Sequence, residues 1–136
     1  MPVGYSGTPL AAKLGLRPGL RAWQRGMPAS VAAQLEDALS ERGFEREAST
    51  GVDFAHVFTF SRAELEAALV RLRPLIAQTG MIWVSWPKKA SKVPTDISED
   101  TVREVALPLG LVDVKVCAVD AVWSGLKLVI RKELRR

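Results

Sequence analysis

The feature that most constrains this chain is the alternation of apolar runs with helix-like segments from about Val52 onward. Phe54 to Phe60 and Met81 to Trp86 are almost entirely apolar, which is typical of strands buried on both faces of a sheet. A helical pattern follows each of them, and two more strand-like runs end the chain. This order predicts an α/β fold: a three-layer, Rossmann-like sheet, mostly parallel, with an antiparallel C-terminal hairpin.

The first helix predicted after Val52 begins at a recognisable sequence signal. Ser61 and Glu64 have the spacing of a capping box, in which each side chain bonds a backbone N–H of the helix start. Pro74 is expected to kink or interrupt the helix, and Gly80 to close it. Its apolar residues fall on one face: Leu65, Ala68, Leu69, Leu72 and Ile76.

The second helix is expected to begin after Ser98 and to end at Gly110. Its apolar face consists of Val102, Val105, Ala106 and Leu109. Val112 to Val119 and Leu126 to Arg131 are predicted strands, and the link Asp120 to Gly125 has the composition of a hairpin turn.

The part of the chain before Val52 contains shorter elements. In chain order we expect a helix capped by Thr8 that runs from Pro9 to about Lys13 and ends at Gly15, a turn at Pro18-Gly19, a strand from Leu20 to Gln24, a helix from Ser30 to Arg42 ended by Gly43, an edge strand from Phe44 to Ala48, and a turn at Gly51.

The length of 136 residues, of which 48% are hydrophobic, predicts a single domain over residues 1–136. Residues 1–19 form a helical lead-in and residues 132–136 a basic tail. Much of the net charge of +4 lies in the last six residues, which hold four cations against Glu133. The rest of the chain is close to neutral, so nucleic acid is not the expected partner.

Several classes of protein are excluded by simple counts. One cysteine and one histidine rule out an intrachain disulfide and a multi-histidine metal site. No apolar run is long enough to cross a bilayer, and the sequence from Met1 to Gly4 does not begin a secretory signal. We therefore expect a cytoplasmic protein with no membrane partner; its oligomeric state is not determined by the sequence.

The second half resembles a class I S-adenosylmethionine-dependent methyltransferase over roughly residues 52 to 131. Leu72-Arg73-Pro74 through Gly80-Met81-Ile82-Trp83-Val84 is similar to the helix end, glycine turn and fifth strand of that fold. The terminal hairpin is similar to its reversed last strand. The resemblance implies a methyltransferase-like fold.

The first half departs from the methyltransferase pattern. That family has a glycine-rich turn after its first strand and an acidic residue at the end of its second strand, which holds the cofactor ribose. Here the turn would be Arg25-Gly26-Met27-Pro28, with one glycine, and the acid would be Glu45 or Glu47. Too few residues precede Val52 for complete second and third strand–helix units. We therefore carry over no cofactor-binding residue and name no cofactor.

Three further motifs are similar to an uncharacterised bacterial family, domain of unknown function 3052. They are Gly4-Tyr5-Ser6-Gly7-Thr8-Pro9-Leu10, Val84-Ser85-Trp86-Pro87-Lys88-Lys89 and Trp123-Ser124-Gly125-Leu126-Lys127-Leu128-Val129. This resemblance spans almost the whole chain and implies no activity.

Ligands of open α/β sheets bind at the carboxyl ends of the strands. The predicted topology brings four segments to that edge: Arg25 to Pro28, Ser61 with Arg62, Trp86 to Lys92, and Asp120 to Gly125. The candidate ligand-binding residues at this edge are Trp86, Lys88, Lys89, Trp123 and Ser124. Two lysines suit a phosphate, the rings suit an apolar group, and the helix after Ser98 points its positive dipole end the same way.

Each of these residues also has a purely structural interpretation. Trp86 and Trp123 are more often packing residues than platforms for a base, and Lys88 and Lys89 are more often solvated than bound to a ligand. Asp120 near Lys88 suits a plain ion pair.

Three other groups are weighed in the same way. Asp96, Glu99 and Asp100 suit a magnesium ion or a general base, but helix capping explains Glu99 and Asp100, so no metal site is predicted. His56 and Cys117 lie in apolar strands and are expected to be a core histidine and an inert thiol.

Three functions remain open. The first is a non-catalytic module that binds an anionic small molecule or nucleotide at the sheet edge. The second is a methyltransferase with a shortened S-adenosylmethionine site. The third is a protein or nucleic-acid adaptor that uses the basic tail.

Overall fold

A computed structural model describes residues 9–39 and 43–136 of the chain. Its elements are α1 (Leu10–Leu14), β1 (Ala22–Arg25), α2 (Ala29–Leu35), β2 (Val52–Phe58), α3 (Arg62–Leu72), β3 (Ile76–Pro87), α4 (Glu99–Ala106), β4 (Leu111–Ala118) and β5 (Trp123–Ile130). Short 3₁₀ helices cover Glu36–Ala38, Lys89–Ser91, Leu107–Leu109 and Lys132–Leu134. The predicted cap Thr8 and the rest of the Gly4–Thr8 motif lie outside the described residues.

The five strands form one mixed sheet in the order β1-β2-β3-β5-β4. β1, β2 and β3 are parallel, and β5 runs antiparallel between β3 and β4. The Rossmann-like fold predicted from the sequence is therefore confirmed, parallel at its start and antiparallel at its end. From Val52 onward the element order is also the predicted one.

The sheet separates two apolar clusters. On the α3/α4 face, Ile82, Val84, Leu126 and Leu128 pack with α3 and α4. On the α1/α2 face, Phe54, Phe58, Trp83 and Trp123 pack with α1 and α2. Because β3 and β5 contribute to both clusters, they form the centre of the molecule.

The start of α3 is as predicted, but its end is not. Ser61 and Glu64 form the complete capping box. The helix ends at Leu72, since Pro74 has no N–H with which to continue it. The prediction that Ile76 and Gly80 belong to this helix is therefore wrong. Ile76 begins β3, and Gly80 lies in β3 where its register with β2 is irregular.

The region between β1 and β2 is simpler than predicted. α2 and the following 3₁₀ turn end at Ala38, and Leu39 is already extended, so the predicted helix does not continue through Leu39. Its predicted end at Arg42 lies outside the described residues. The predicted edge strand from Phe44 is reduced to one parallel bridge, from Glu45 to Trp23. Pairing to a short β1 at a single position is too little to sustain a strand.

Arg21 holds this reduced segment in place. Its Nε donates to Glu45 Oε2 at 2.9 Å and its Nη1 to the Thr50 carbonyl at 2.8 Å, and Nη2 contacts the Ser49 hydroxyl. The hydrogen bond to Glu45 also raises the pKa of Arg21. Arg21, immediately before β1, thus holds by side-chain hydrogen bonds a segment that pairs with β1 through a single bridge.

Two strand boundaries differ from prediction with consequences for the site. β2 ends at Phe58, so Phe60 lies beyond the sheet and is 44% exposed, not buried. β5 begins at Trp123, so the hairpin turn is shorter than Asp120 to Gly125. Trp123 and Ser124 are paired strand residues, opposite Pro87 and Trp86.

The C-terminal tail is partly docked on the fold. Arg135 Nε donates to the Ile130 carbonyl at 2.9 Å, and the Arg136 N–H to Gln78 Oε1 at 3.1 Å. A Cβ on Gly110 would lie 2.7 Å from Leu134 Cδ1, which shows how closely that side chain approaches.

Candidate ligand-binding cleft

The carboxyl ends of the parallel strands meet at one edge of the sheet. Register pairs Arg25 with Val57, Phe58 with Ser85, and Pro87 with Trp123. β4 ends at the same edge, with Ala118 opposite Ser124. All four segments that the sequence assigns to this edge therefore lie along it.

A cleft of about 620 Å³ opens on the α3/α4 face at this edge. This volume lies within the range of roughly 300–1,000 Å³ of small-molecule sites. It is lined by residues of the β3–α4 connection and by the facing residue of β5: Trp86, Pro87, Lys88, Lys89, Lys92, Val93, Pro94, Thr95, Asp96, Ile97, Ser98, Glu99 and Ser124.

The cationic wall of the cleft is a tight turn built from its own backbone. The Lys88 N–H donates to the Val122 carbonyl at 2.7 Å, which ties the turn to the β4–β5 hairpin. The Ser91 hydroxyl donates to the Lys88 carbonyl at 2.6 Å. Lys92 then adopts a left-handed conformation, φ +62°, the only positive φ of a non-glycine residue in the described part of the chain. Lys88, Lys89 and Lys92 therefore project from one compact loop.

None of these three lysines forms an ion pair within the described residues. Lys89 and Lys92 are exposed, and Lys88 is half-buried. Their ammonium groups keep their hydrogen-bonding capacity for solvent or a ligand.

The two tryptophans occupy opposite faces of the sheet. Trp86 packs in the α3/α4 cluster and borders the cleft, whereas Trp123 packs in the other cluster. Both are at least nine-tenths buried. Trp86 therefore supplies an apolar floor, and Trp123 cannot contact a ligand in the same cleft. Four of the five candidate residues are brought together and Trp123 is not.

Ser124 faces Trp86 across the β3–β5 pair and lines the cleft. Its hydroxyl makes no hydrogen bond with any described residue, whereas other hydroxyls of the lining are used. That of Thr95 donates to the Phe60 carbonyl, and that of Ser98 caps α4. Ser124 can thus donate to a ligand.

The acidic residues of the region have structural partners. Asp96 accepts the Arg62 N–H at 2.7 Å, and Arg103 bonds Glu99, Asp100 and Asp113. In the described chain no three His, Cys, Asp or Glu side chains are grouped to hold a metal ion.

Asp120 does not pair with Lys88 as the sequence suggested. Its carboxylate accepts the N–H groups of Val122 and Trp123, at 2.8 and 2.7 Å, and shapes the hairpin turn.

His56 lies in the core as expected, whereas Cys117, expected to be a buried thiol, is only partly buried. His56 is fully buried, stacks on Phe58 at 4.3 Å, and shares a 2.7 Å hydrogen bond between Nε2 and the Ser85 hydroxyl. Its Nδ1 has no partner within the described residues, so it is only half satisfied. Burial lowers the pKa of His56 to about 3 and raises the pKa of Cys117.

Sequence reasoning missed two residues of this edge. The sequence places Lys92 only at the end of the segment Trp86 to Lys92, and nothing in the sequence reveals its left-handed backbone. Phe60 was placed in a buried strand because it continues an apolar run. The capping box at Ser61 marks where the helix begins, but it does not specify whether the residue before it is exposed.

The glycine turn and the acidic residues at which a methyltransferase would hold its cofactor are arranged differently in this chain. A Cβ on Gly26, φ +74°, would lie 3.2 Å from the Phe58 carbonyl oxygen, so the turn after β1 packs closely on β2. Glu45 is bonded by Arg21, which precedes β1, and so its carboxylate is held away from Gly26. Glu47 is exposed beyond the single bridge.

Solved structures define the class of fold. Magnesium protoporphyrin IX methyltransferase from Synechocystis PCC 6803, with bound S-adenosylmethionine, is 14% identical with a TM-score of 0.60, over 90% of this chain and 74% of that one. Aeropyrum pernix fibrillarin with the same ligand is 14% identical with a TM-score of 0.59, over 88% and 73%. The fold is thus the Rossmann-like fold of S-adenosylmethionine-dependent methyltransferases.

LepI, in complex with S-adenosylhomocysteine and a substrate analogue, is 13% identical with a TM-score of 0.55. The match covers 90% of this chain and only 39% of LepI, so the chain spans well under half the length of that protein.

Residues 11–132 match the family described as "Protein of unknown function (DUF3052)", and the chain belongs to this family. No curated protein sequence matches it. The described residues include no helix long and apolar enough to cross a membrane.

Proposed function

We propose that this protein binds an anionic small molecule in the cleft beside the β3–α4 connection. The observation that carries the proposal is the balance of free hydrogen-bonding groups. Three lysines and the Ser124 hydroxyl have no partner among the described residues, whereas Asp96 and Glu99 are already bonded. A site with spare donors and committed acceptors complements a phosphate or a carboxylate.

The lining residues have distinct roles in this proposal. Lys88 and Lys89 neutralise the anion, and Ser124 donates a hydrogen bond to it from the sheet. Trp86 and Ile97, both buried, supply apolar contact for the remainder of the ligand. No residue of the cleft is assigned a catalytic role, because none is an activated nucleophile or a base in contact with the lysines.

The test is calorimetric titration with inorganic pyrophosphate, supported by thermal shift. We expect the Lys88→Ala/Lys89→Ala variant to weaken binding by at least about tenfold, since each charge-assisted hydrogen bond is worth roughly 1.5–3 kcal/mol before screening by solvent. The matched control is Lys132→Ala/Arg136→Ala, which removes two exposed cations of the tail. Equal affinity in all three proteins, or no binding to any, would refute the proposal.

A second candidate, a shortened methyltransferase, is favoured by the fold shared with S-adenosylmethionine-bound enzymes. It requires that the cofactor occupy the edge near Gly26 despite the close packing of that turn on Phe58. Titration with S-adenosylmethionine separates the two proposals, because only the methyltransferase requires this cofactor to bind. A flat titration at millimolar cofactor would eliminate the methyltransferase.

A further inference from the structure

Asp120 is a half-buried carboxylate in the turn of the β4–β5 hairpin, and it forms no ion pair within the described part of the chain. Its Oδ1 atom accepts two backbone N–H groups, that of Val122 at 2.8 Å and that of Trp123 at 2.7 Å. An aspartate that bonds the backbone just ahead of it in this way fixes the path of the chain. The Asp120 side chain therefore sets the conformation of the hairpin turn.

The hairpin turn in its own right holds residues 88–92, which form the cationic wall of the cleft. The Lys88 N–H donates to the Val122 carbonyl at 2.7 Å, and this bond extends the antiparallel pairing of β3 with β5 beyond the last strand residues. Among the described residues, the other hydrogen bonds of residues 88–92 are made within that segment or with adjacent Val93. The bond from Lys88 to Val122 is thus the one hydrogen bond in the described chain that joins the cationic wall to another element.

The same carboxylate is connected to the neutral donor of the cleft. Ser124 directly follows Trp123, whose N–H is bonded by Asp120, and lines the cleft. In the proposed site Ser124 and Lys88 contact one anion from two different strands. Affinity then depends on how firmly the two donors are held relative to each other before the ligand binds, since ordering them afterwards costs free energy.

From these contacts we infer that Asp120 is a positioning residue of the cleft. It acts on Lys88 through the Val122 carbonyl, and on Ser124 through the preceding residue of β5. The inference rests on the proposed function and adds to it a residue that does not itself line the cleft. The charge of Asp120 acts in the opposite sense, because a carboxylate at the same edge of the sheet repels an anionic ligand. Geometry and charge therefore predict different effects when Asp120 is replaced.

The experiment is calorimetric titration of the full chain with inorganic pyrophosphate, and it compares two substitutions at this position. Asp120→Asn removes the charge but keeps an acceptor oxygen at the same distance from the backbone, so affinity should not fall by more than about twofold. Asp120→Glu keeps the charge but moves the carboxylate one methylene away from the backbone, so affinity should fall by about fivefold. A purely electrostatic role predicts the reverse: tighter binding in Asp120→Asn and parental binding in Asp120→Glu.

Exchange of the Lys88 amide hydrogen, followed by NMR, reports on the same connection without any ligand. It should become at least about fivefold faster in Asp120→Glu and stay at the parental rate in Asp120→Asn. Asp53→Glu is the matched control and should change neither exchange nor affinity. Asp53 also accepts a backbone N–H, that of Arg21 at 2.9 Å, but it lies near the start of β2, at the opposite edge of the sheet.

The outcomes separate this inference from the proposed function. If Asp120→Glu binds pyrophosphate as tightly as the parent, or Asp120→Asn loses as much affinity as Asp120→Glu, the positioning role is overturned and the anion-binding cleft stands. The same holds if the Lys88 amide exchanges at the parental rate in Asp120→Glu. If the parent protein does not bind pyrophosphate, the proposed function is refuted and the positioning role with it.

Discussion

At the scale of single residues, His56 shows how a titratable group is used for packing. It lies between Phe54, Phe58 and Trp83, with one ring nitrogen bonded to Ser85 and the other without a partner in the described chain. Only the neutral imidazole tolerates this environment, because the charged form would lose its hydration.

This burial makes the stability of the protein depend on pH. The folded pKa of His56, about 3, is below the value of 6.5 for an exposed histidine. The stabilisation is complete above the unfolded pKa and is lost progressively as pH falls, because the unfolded chain binds the proton first. Between about pH 7.5 and about pH 5 the free energy of unfolding should fall by roughly 2 kcal/mol from this group.

Urea denaturation at the two pH values measures the effect. His56→Phe should lower the pH dependence by that amount, while Ser85→Ala, which leaves the histidine buried, should retain it. An unchanged slope in His56→Phe would show that His56 is not protonated on unfolding.

Lys92 is the residue where binding and stability are expected to conflict. A left-handed lysine costs about 1 kcal/mol more than glycine, which adopts this conformation freely. Lys92→Gly should therefore raise the free energy of unfolding by about 0.5 kcal/mol, after the entropy of the freer unfolded chain is deducted, and weaken pyrophosphate binding. Lys89→Gly, in the same turn at negative φ, should lower stability instead. Thermal melts with paired titrations decide this, and a stability loss in Lys92→Gly would contradict it.

At the scale of elements, the C-terminal 3₁₀ helix Lys132–Leu134 packs against the rest of the fold and is not a free basic tail. Leu134 approaches Gly110, and Arg135 bonds the Ile130 carbonyl. This arrangement leaves the adaptor hypothesis with fewer free cations than the sequence indicates.

Removing these contacts of the C-terminal tail should therefore affect stability more than ligand binding. We expect Leu134→Ala/Arg135→Ala to lower the free energy of unfolding by about 1 kcal/mol, because a partly buried side chain and one hydrogen bond are lost. Pyrophosphate affinity should not change. Lys132→Ala, which is exposed, should stay within about 0.5 kcal/mol of the parent in the same denaturation experiment. Equal stability of all three proteins would mean that the tail is not docked in solution.

At the scale of the whole molecule, β3 and β5 join the parallel and antiparallel parts of the sheet. Ile82, Trp83, Val84 and Leu128 are completely buried, whereas Val114 and Val116 of the edge strand β4 are about half exposed. We propose that residues 1–136 unfold as one domain around this centre.

Hydrogen exchange tests that proposal. Amides of β3 and β5 should exchange only through global unfolding, and those near Val114 and Val116 at least about tenfold faster, because an edge strand opens locally. Two separately exchanging units would contradict a single domain. Strong protection at β4 would indicate that its edge is covered in solution.

The sequence by itself determined the layered fold from Val52 onward. Strand burial and helix capping are local signals: Ser61 with Glu64 and Ser98 with Thr101 close the capping boxes through residues three apart. The apolar runs predict buried strands regardless of which strand each of them pairs with. The sequence also placed Lys88, Lys89 and Ser124 at one edge, because that needs only the direction of each strand.

Tertiary structure alone decided what that edge contains. Whether Trp86 and Trp123 share a face of the sheet depends on the β3–β5 register. Trp86 lies opposite Ser124, which is one residue from Trp123, and successive residues of a strand point to opposite faces. Whether Glu45 is free to bind a ligand depends on Arg21, brought to it by folding. The exposure of Phe60 depends on where β2 stops pairing. Register, long-range ion pairs and strand ends are set by contacts between distant segments, which no local pattern encodes.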